Sequence, residues 1–127
     1  MSPVRIVPAR DRMDRVEFSH EQEWRDHAVQ MGAYQCPGCS HRVELRASDI
    51  ERHEYAPTTN LRDPWPRRFD DARPVRGDRW ESFLDFNCPG CGAPVRLIFA
   101  QGPEYAMGAH SWSFVDIVEV AEWVPEA

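Results

Sequence analysis

Two identical tetrapeptides, Cys36-Pro37-Gly38-Cys39 and Cys88-Pro89-Gly90-Cys91, contain all four cysteines of the 127-residue chain. In each, the two-residue spacing allows a tight turn to direct both sulfur atoms toward one cation. Proline presets one backbone dihedral and glycine tolerates unusual ones, so the Pro-Gly pair suits a sharply bent loop. Two such turns together supply four soft ligands, which predicts one closed, tetrahedral, structural zinc site. Its ligands would be Cys36, Cys39, Cys88 and Cys91.

These motifs resemble the CPxCG-type knuckles of zinc ribbons, in which two knuckles at the tips of two β-hairpins hold one structural zinc ion. The match covers the first tetrapeptide followed by Ser40 and the second followed by Gly92. Ser40 departs from the usual glycine after a knuckle, so we expect some strain in the first turn. The resemblance implies a ribbon fold and one Zn²⁺, but zinc ribbons serve many functions and it does not identify a biological role.

Three other roles for the cysteines are disfavoured. A disulfide framework requires an oxidising compartment, and no sequence signal suggests export. A thioredoxin-like redox pair would carry proline before its second cysteine, whereas proline here follows the first. A catalytic zinc ion keeps an open coordination position, which four thiolates would remove.

Length and composition predict one small, loop-rich domain, because 127 residues with 11 prolines and 42% hydrophobic residues support only a modest core. No run of eighteen apolar residues is present, so we expect no membrane span. Residues 1–5 lack the apolar segment of a signal peptide. We therefore expect a cytoplasmic protein.

The formal net charge is −6 at pH 7, and four thiolates around one Zn²⁺ would add a further charge of about −2. An acidic protein repels the phosphate backbone, whose neutralisation supplies most non-specific affinity for nucleic acids. The charge therefore favours a protein partner and leaves nucleic acid as a weaker possibility.

The pattern of the chain predicts an α+β fold: a small zinc-ribbon-like antiparallel β-sheet of about four to five strands, one short N-terminal helix, and a long loop between the knuckles. Ser19 is a suitable N-cap and Gly32 a suitable C-terminal stop for a helix over residues 20–31. Alternating or β-rich segments predict strands over 41–46, 80–86 and 95–100.

Residues 112–124 fit either a helix or a strand. A capping-box pattern and a helical stripe favour the helix, whereas the many β-branched residues favour the strand. We expect a strand, since ribbon folds commonly add a third strand beside the hairpins.

The expected domain organisation is a mobile N-terminal arm over residues 1–18 and a single zinc-ribbon-containing domain over 19–127. Within that domain, residues 57–79 read as a loop insertion, because prolines and a glycine interrupt them and no apolar period survives.

Arginine and aromatic residues alternate in this insertion, and they form the candidate partner-binding site: Arg62, Trp65, Arg67, Arg68 and Phe69. Such mixtures are enriched at protein–protein hot spots and in grooves for single-stranded nucleic acid. A third possibility is that Trp65 folds back over a small core while the arginines pair with neighbouring aspartates.

No catalytic motif is recognisable, so we expect no enzymatic activity. The leading hypothesis is a cytoplasmic, non-enzymatic zinc protein that presents a protein-binding surface, as an accessory subunit or an inhibitor or immunity-type partner. The alternative is a nucleic-acid-binding zinc ribbon that uses the Arg/Trp loop. A weaker hypothesis is an enzyme whose pocket is lined by His20, His27 or His110.

Overall fold

The computed structural model of the chain describes residues 3–19, 30–53, 57–78, 80–101 and 111–124. Within these ranges the chain is α+β, with antiparallel strands and few helices, as expected. The strands are β1 (Val4–Pro8), β2 (Glu17–Ser19), β3 (Gln30–Gln35), β4 (Arg42–Arg46), β5 (Glu81–Asn87), β6 (Pro94–Gln101) and β7 (Ser111–Val120). The helices are α1 (Ala47–His53), α2 (Trp65–Ala72) and a 3-10 turn (Ala9–Asp11).

The strands form two separate sheets, and each contains one of the knuckles. The larger sheet has the strand order β1-β7-β6-β5, and β2 pairs with a different part of β7 from β1. Its β5–β6 hairpin has the second knuckle at its tip, whereas the first knuckle joins β3 and β4 of the two-stranded sheet. The predicted strands on both sides of each knuckle are therefore present, and the described strands exceed the expected four to five because β1 and β2 were not anticipated.

The first residues belong to the larger sheet. We expected a mobile arm over residues 1–18, but β1 pairs with β7 from Val4 opposite Val120 to Pro8 opposite Asp116. Val7 packs against the core of buried side chains. A five-residue strand between prolines is too short for its alternation of apolar and polar residues to be recognised in the sequence. The strand is stabilised by a partner strand more than a hundred residues away.

Both faces of the larger sheet are covered. On one face, Phe69 of α2 packs with Ile98 and Val118. On the other face, Leu45 of β4 and Ile50 of α1 belong to a second cluster of buried residues. Strand β6 is consequently buried from Pro94 to Phe99, the pattern expected when a strand is enclosed on both sides.

The segment 57–79 contains a helix instead of the unpatterned loop that we expected. Helix α2 begins at Trp65, and Pro66 lies in its first turn, where a missing backbone N–H costs nothing. Phe69 lies one turn after Trp65 and is fully buried against the sheet. Because only these two large apolar residues mark the buried face, the helical period was too short to detect.

Strand β7 bears out the expectation of a strand in the C-terminal stretch, from Ser111 to Val120. The predicted helix over residues 20–31 lies outside the described residues except for Gln30 and Met31, which belong to β3. Gly32 does not end a helix; it lies in β3 at a register shift with φ of 144°. None of the helices in the described ranges is long and apolar enough to cross a membrane.

A buried ion pair holds α2 on the sheet. The side chain of Arg96 in β6 is 1% exposed and donates two hydrogen bonds, of 2.8 and 3.0 Å, to the carboxylate of Asp85 on β5. It also bonds to Asp70 of α2. The guanidinium lies 3.9 Å from the ring centroid of Phe83, so an aromatic face and two carboxylates surround this charge.

Candidate metal centre

The four cysteine sulfur atoms converge although the two knuckles are far apart in sequence. The Sγ atoms of Cys36 and Cys91 are 3.8 Å apart, and those of Cys39 and Cys88 are 3.5 Å apart. All four Sγ atoms lie within 4.8 Å of one another. Zn–S bonds of about 2.3 Å at tetrahedral angles would separate the ligand atoms by about 3.8 Å.

The sulfur atoms are not paired in disulfides, since an S–S bond would be about 2.05 Å long and all four cysteines are free. Four sulfur donors at these separations can hold one metal ion and fill all positions of a tetrahedron. The structure thus brings the predicted ligand set together in a geometry compatible with zinc.

Equivalent backbone hydrogen bonds close the two knuckles. The N–H of Cys36 donates to the carbonyl of His41 at 3.0 Å, and the N–H of Cys88 donates to the carbonyl of Ala93 at 2.8 Å. These bonds join the two sides of each turn at its base. Each hairpin therefore holds its pair of cysteines on a turn that its own backbone hydrogen bond closes.

The residue after each knuckle adopts a left-handed conformation. Ser40 has φ of 65° and Gly92 has φ of 79°. The backbone N–H of each donates to the carbonyl of the first cysteine of its own knuckle. Ser40 is the one non-glycine residue with positive φ in the described ranges. A side chain in this region is unfavourable, which agrees with the strain expected from serine at this position.

The two knuckles touch at Gly90. A Cβ atom at this position would lie 2.6 Å from the Sγ of Cys39 and 3.0 Å from the Cβ of His41, well inside normal contact distances. A Cβ atom at Gly38, the equivalent position of the first knuckle, would lie 3.9 Å from the Sγ of Cys36. Only Gly90 is therefore required for the close approach of the two halves of the site.

The sulfur atoms differ in their surroundings. Cys36 and Cys88 are buried, Cys91 is partly buried, and Cys39 is exposed. A hydrogen bond from the backbone N–H of His41 lowers the pKa of the Cys39 thiol. Burial raises the pKa of Cys88 and raises that of Cys91 to about 12, so a bound cation is needed to keep both ionised at neutral pH.

An aromatic pair joins the strands that lead into the two knuckles. Tyr34 and Phe86 each lie two residues before the first cysteine of a knuckle, and their rings meet edge to face with centroids 5.6 Å apart. The hydroxyl of Tyr34 donates to the buried carboxylate of Glu119, 3.2 Å away. Arg5 and Arg12 also donate to Glu119, at 2.6 and 2.7 Å, so this contact joins both sheets.

A tryptophan near the end of β7 connects the second knuckle to α2. The indole N–H of Trp123 donates to the backbone carbonyl of Cys91 at 2.9 Å. Its ring meets the ring of Trp65 edge to face at 5.9 Å between centroids. Sequence reasoning did not single out Trp123, since its partners are 32 and 58 residues away and no local pattern marks it.

The structure separates the five candidate partner-binding residues. Phe69 is fully buried and is removed from that surface. Trp65 is partly buried, and the guanidinium of Arg68 lies 5.0 Å from its ring centroid. Arg62 and Arg67 are exposed. Trp65 therefore packs partly over the core, as one of the three hypotheses from sequence proposed.

A cleft of 420 Å³ opens between the start of α2 and the second knuckle. The residues that line it include the partly buried Trp65 and Trp123 and the exposed Asp63 and Asn87.

His20, His27 and His110 lie outside the described residues. No protein-family model matches the sequence, and neither the curated proteins nor the solved structures contain a significant match to it.

Proposed function

We propose that the chain is a structural zinc protein of the ribbon type whose role is to bind another protein. The observation that carries this proposal is the convergence of four cysteine sulfur atoms at separations of a tetrahedral site. Tetrahedral sulfur ligation suits zinc, and a fully occupied shell leaves no position for a substrate.

The position of the site explains why the metal would be structural. One pair of ligands belongs to the two-stranded β3–β4 sheet and the other to the five-stranded sheet. A two-stranded hairpin is marginally stable alone, so a metal that joins it to the larger sheet stabilises it by restricting its detachment.

The exposed residues of α2 and of the segment just before it, here called the α2 surface, support a protein partner. Arg62, Arg67 and the stacked pair of Arg68 and Trp65 are residue types that dominate binding energy at protein interfaces. Exposed aspartates accompany them: Asp63, Asp70 and Asp71. Mixed charge of this kind is poorly suited to a phosphate backbone, so a protein is favoured over a nucleic acid.

The metal half of the proposal is tested by elemental analysis of the purified full-length chain, which should contain one zinc per polypeptide. Cobalt(II) in its place should show the intense visible bands of a tetrathiolate. Chelation or Cys36→Ser should raise hydrogen exchange in β3 and β4 before it does so in the larger sheet. A metal-free protein with the same exchange protection would refute a structural zinc site.

The partner half is tested by affinity capture from the native cell with three versions of the chain. Arg67→Glu reverses an exposed charge on α2, and Arg10→Glu makes the same change on the 3-10 turn as a matched control. The wild-type chain and Arg10→Glu should retain a stoichiometric protein that Arg67→Glu loses. Capture of nucleic acid, released by nuclease, would instead support the alternative function.

A further inference from the structure

We propose that the cleft beside the second knuckle binds an arginine side chain of the protein partner. This inference rests on the proposed function, because it assigns a chemistry to the partner of the same α2 surface. The cleft measures 420 Å³, which suits a long side chain better than a folded segment. Pro94 and Gly92 contribute to its lining beside the two tryptophans.

The two indole rings offer aromatic surface to a ligand, and the N–H of Trp123 is not available to it as a hydrogen-bond donor. The N–H of Trp123 is already donated to the carbonyl of Cys91, 2.9 Å away. The rings of Trp65 and Trp123 stand at 71° to each other, so they form two sides of a corner. Aromatic faces attract cations, and the flat, weakly hydrated guanidinium group stacks on them better than an ammonium group does.

The chain itself contains one such contact. The guanidinium of Arg68 lies over Trp65 at 5.0 Å from the ring centroid. Arg62, by contrast, lines the cleft without an ion pair or a ring contact to any residue in the described part of the chain.

An exposed aspartate is among the residues that line the cleft. Asp63 is exposed and makes no hydrogen bond or ion pair with any residue that the structure describes. A planar guanidinium can engage such a carboxylate through two parallel hydrogen bonds. Asn87, also exposed and in the lining, offers an amide oxygen as a further acceptor.

The electrostatic balance favours a cation. Cys91 lines the cleft, and a tetrathiolate zinc centre would carry a charge of about −2 beside it. Together with Asp63, this outweighs Arg62 and Arg68 by about one negative charge. The chain as a whole has a formal charge of −6, which would attract a basic partner from a distance.

The test uses the zinc-loaded full-length chain labelled with ¹⁵N and three short blocked peptides that differ in one residue: arginine, lysine or citrulline. Citrulline has nearly the shape of arginine without its charge. The arginine peptide should shift the indole N–H signals of Trp65 and Trp123, assigned with Trp→Phe variants, and should do so saturably in the millimolar range. Equal shifts with the citrulline or lysine peptide, or no shift of either signal, would overturn the assignment.

Two variants locate the contact. Asp63→Asn removes the carboxylate at the cleft and should weaken binding of the arginine peptide by up to about fivefold, the upper end of the range for one exposed ion pair. Asp71→Asn removes an exposed carboxylate of α2 that does not line the cleft, and it should leave binding unchanged. Equal binding by Asp63→Asn and the wild-type chain would refute the role of this residue.

The same proteins distinguish the two levels of the proposal. If the partner is captured by both the wild-type chain and Asp63→Asn while the arginine peptide shows no specific binding, the arginine site is wrong and the proposed function stands. If no specific partner is captured at all, the proposed function is wrong whatever the peptide does.

Discussion

Replacement of Gly90 by alanine is the sharpest test of how the two knuckles form one site. The added Cβ would lie 2.6 Å from the Sγ of Cys39, whereas unstrained heavy-atom contacts are about 3.5–4.0 Å. The sulfur or the turn must therefore move by about 1 Å. The backbone of Gly90 is not in the left-handed region, so alanine adds this contact without dihedral strain.

Most of the cost should appear in metal binding. Cys39 is exposed, so without metal its side chain can turn away from the new methyl group, whereas the milder contact of 3.0 Å with the Cβ of His41 is the same with and without metal. With metal bound, its sulfur is held in the tetrahedron and the overlap remains. Overpacking of this kind costs about 1–3 kcal/mol, which corresponds to a metal affinity about 5- to 150-fold lower.

The assay is competition for zinc against a chromophoric chelator at fixed pH, with melting temperatures of the metal-free and metal-loaded proteins. Gly38→Ala is the matched control, because its Cβ would make an ordinary contact of 3.9 Å with the Sγ of Cys36. The reasoning would be refuted if Gly90→Ala bound zinc as tightly as Gly38→Ala and the wild-type chain.

Three further changes test other parts of the structure. Ser40→Gly should stabilise the protein against urea by up to about 1 kcal/mol, since φ of 65° penalises a side chain; lower stability would contradict the assigned strain. Asp85→Asn should lower the free energy of unfolding by about 3–5 kcal/mol, because Arg96 would keep a buried charge without its main partner. A urea midpoint that shifts no more than it does for substitutions of exposed residues would argue against this. Hydrogen bonding from Arg73 lowers the pKa of Glu81, so this carboxylate stabilises the fold above its unfolded pKa and loses that contribution as pH falls through its lower folded pKa. Glu81→Gln should therefore flatten the loss of stability in acid, measured by urea unfolding between about pH 6 and 3; an unchanged slope would refute the contribution.

The ligand set and the hairpins around it could be inferred from sequence because their causes are local. The spacing within each CxxC pair limits the shape of a turn, and the alternation in 41–46 and 80–86 is set by the pleat of a strand. The β-branched residues of β7 likewise favoured a strand through their own side-chain restrictions.

The elements that were missed depend on distant contacts. Strand β1 is stabilised by its ladder with β7 and by the bond from Arg5 to Glu119, 114 residues away. Helix α2 is fixed by Phe69 packing into the sheet and by the bond of Asp70 to Arg96. Neither segment has a period long enough to reveal these contacts in the sequence.

The sequence by itself determined which four atoms could hold a metal and that each pair would lie on a turn between strands. Only the tertiary structure decided that Gly90 and not Gly38 separates the knuckles, that Phe69 is buried, and that Trp123 joins the second knuckle to α2. The physical reason is the distance along the sequence between the interacting residues. Turn and strand geometry follow from neighbours a few residues away, whereas packing depends on which distant surfaces meet when the chain folds.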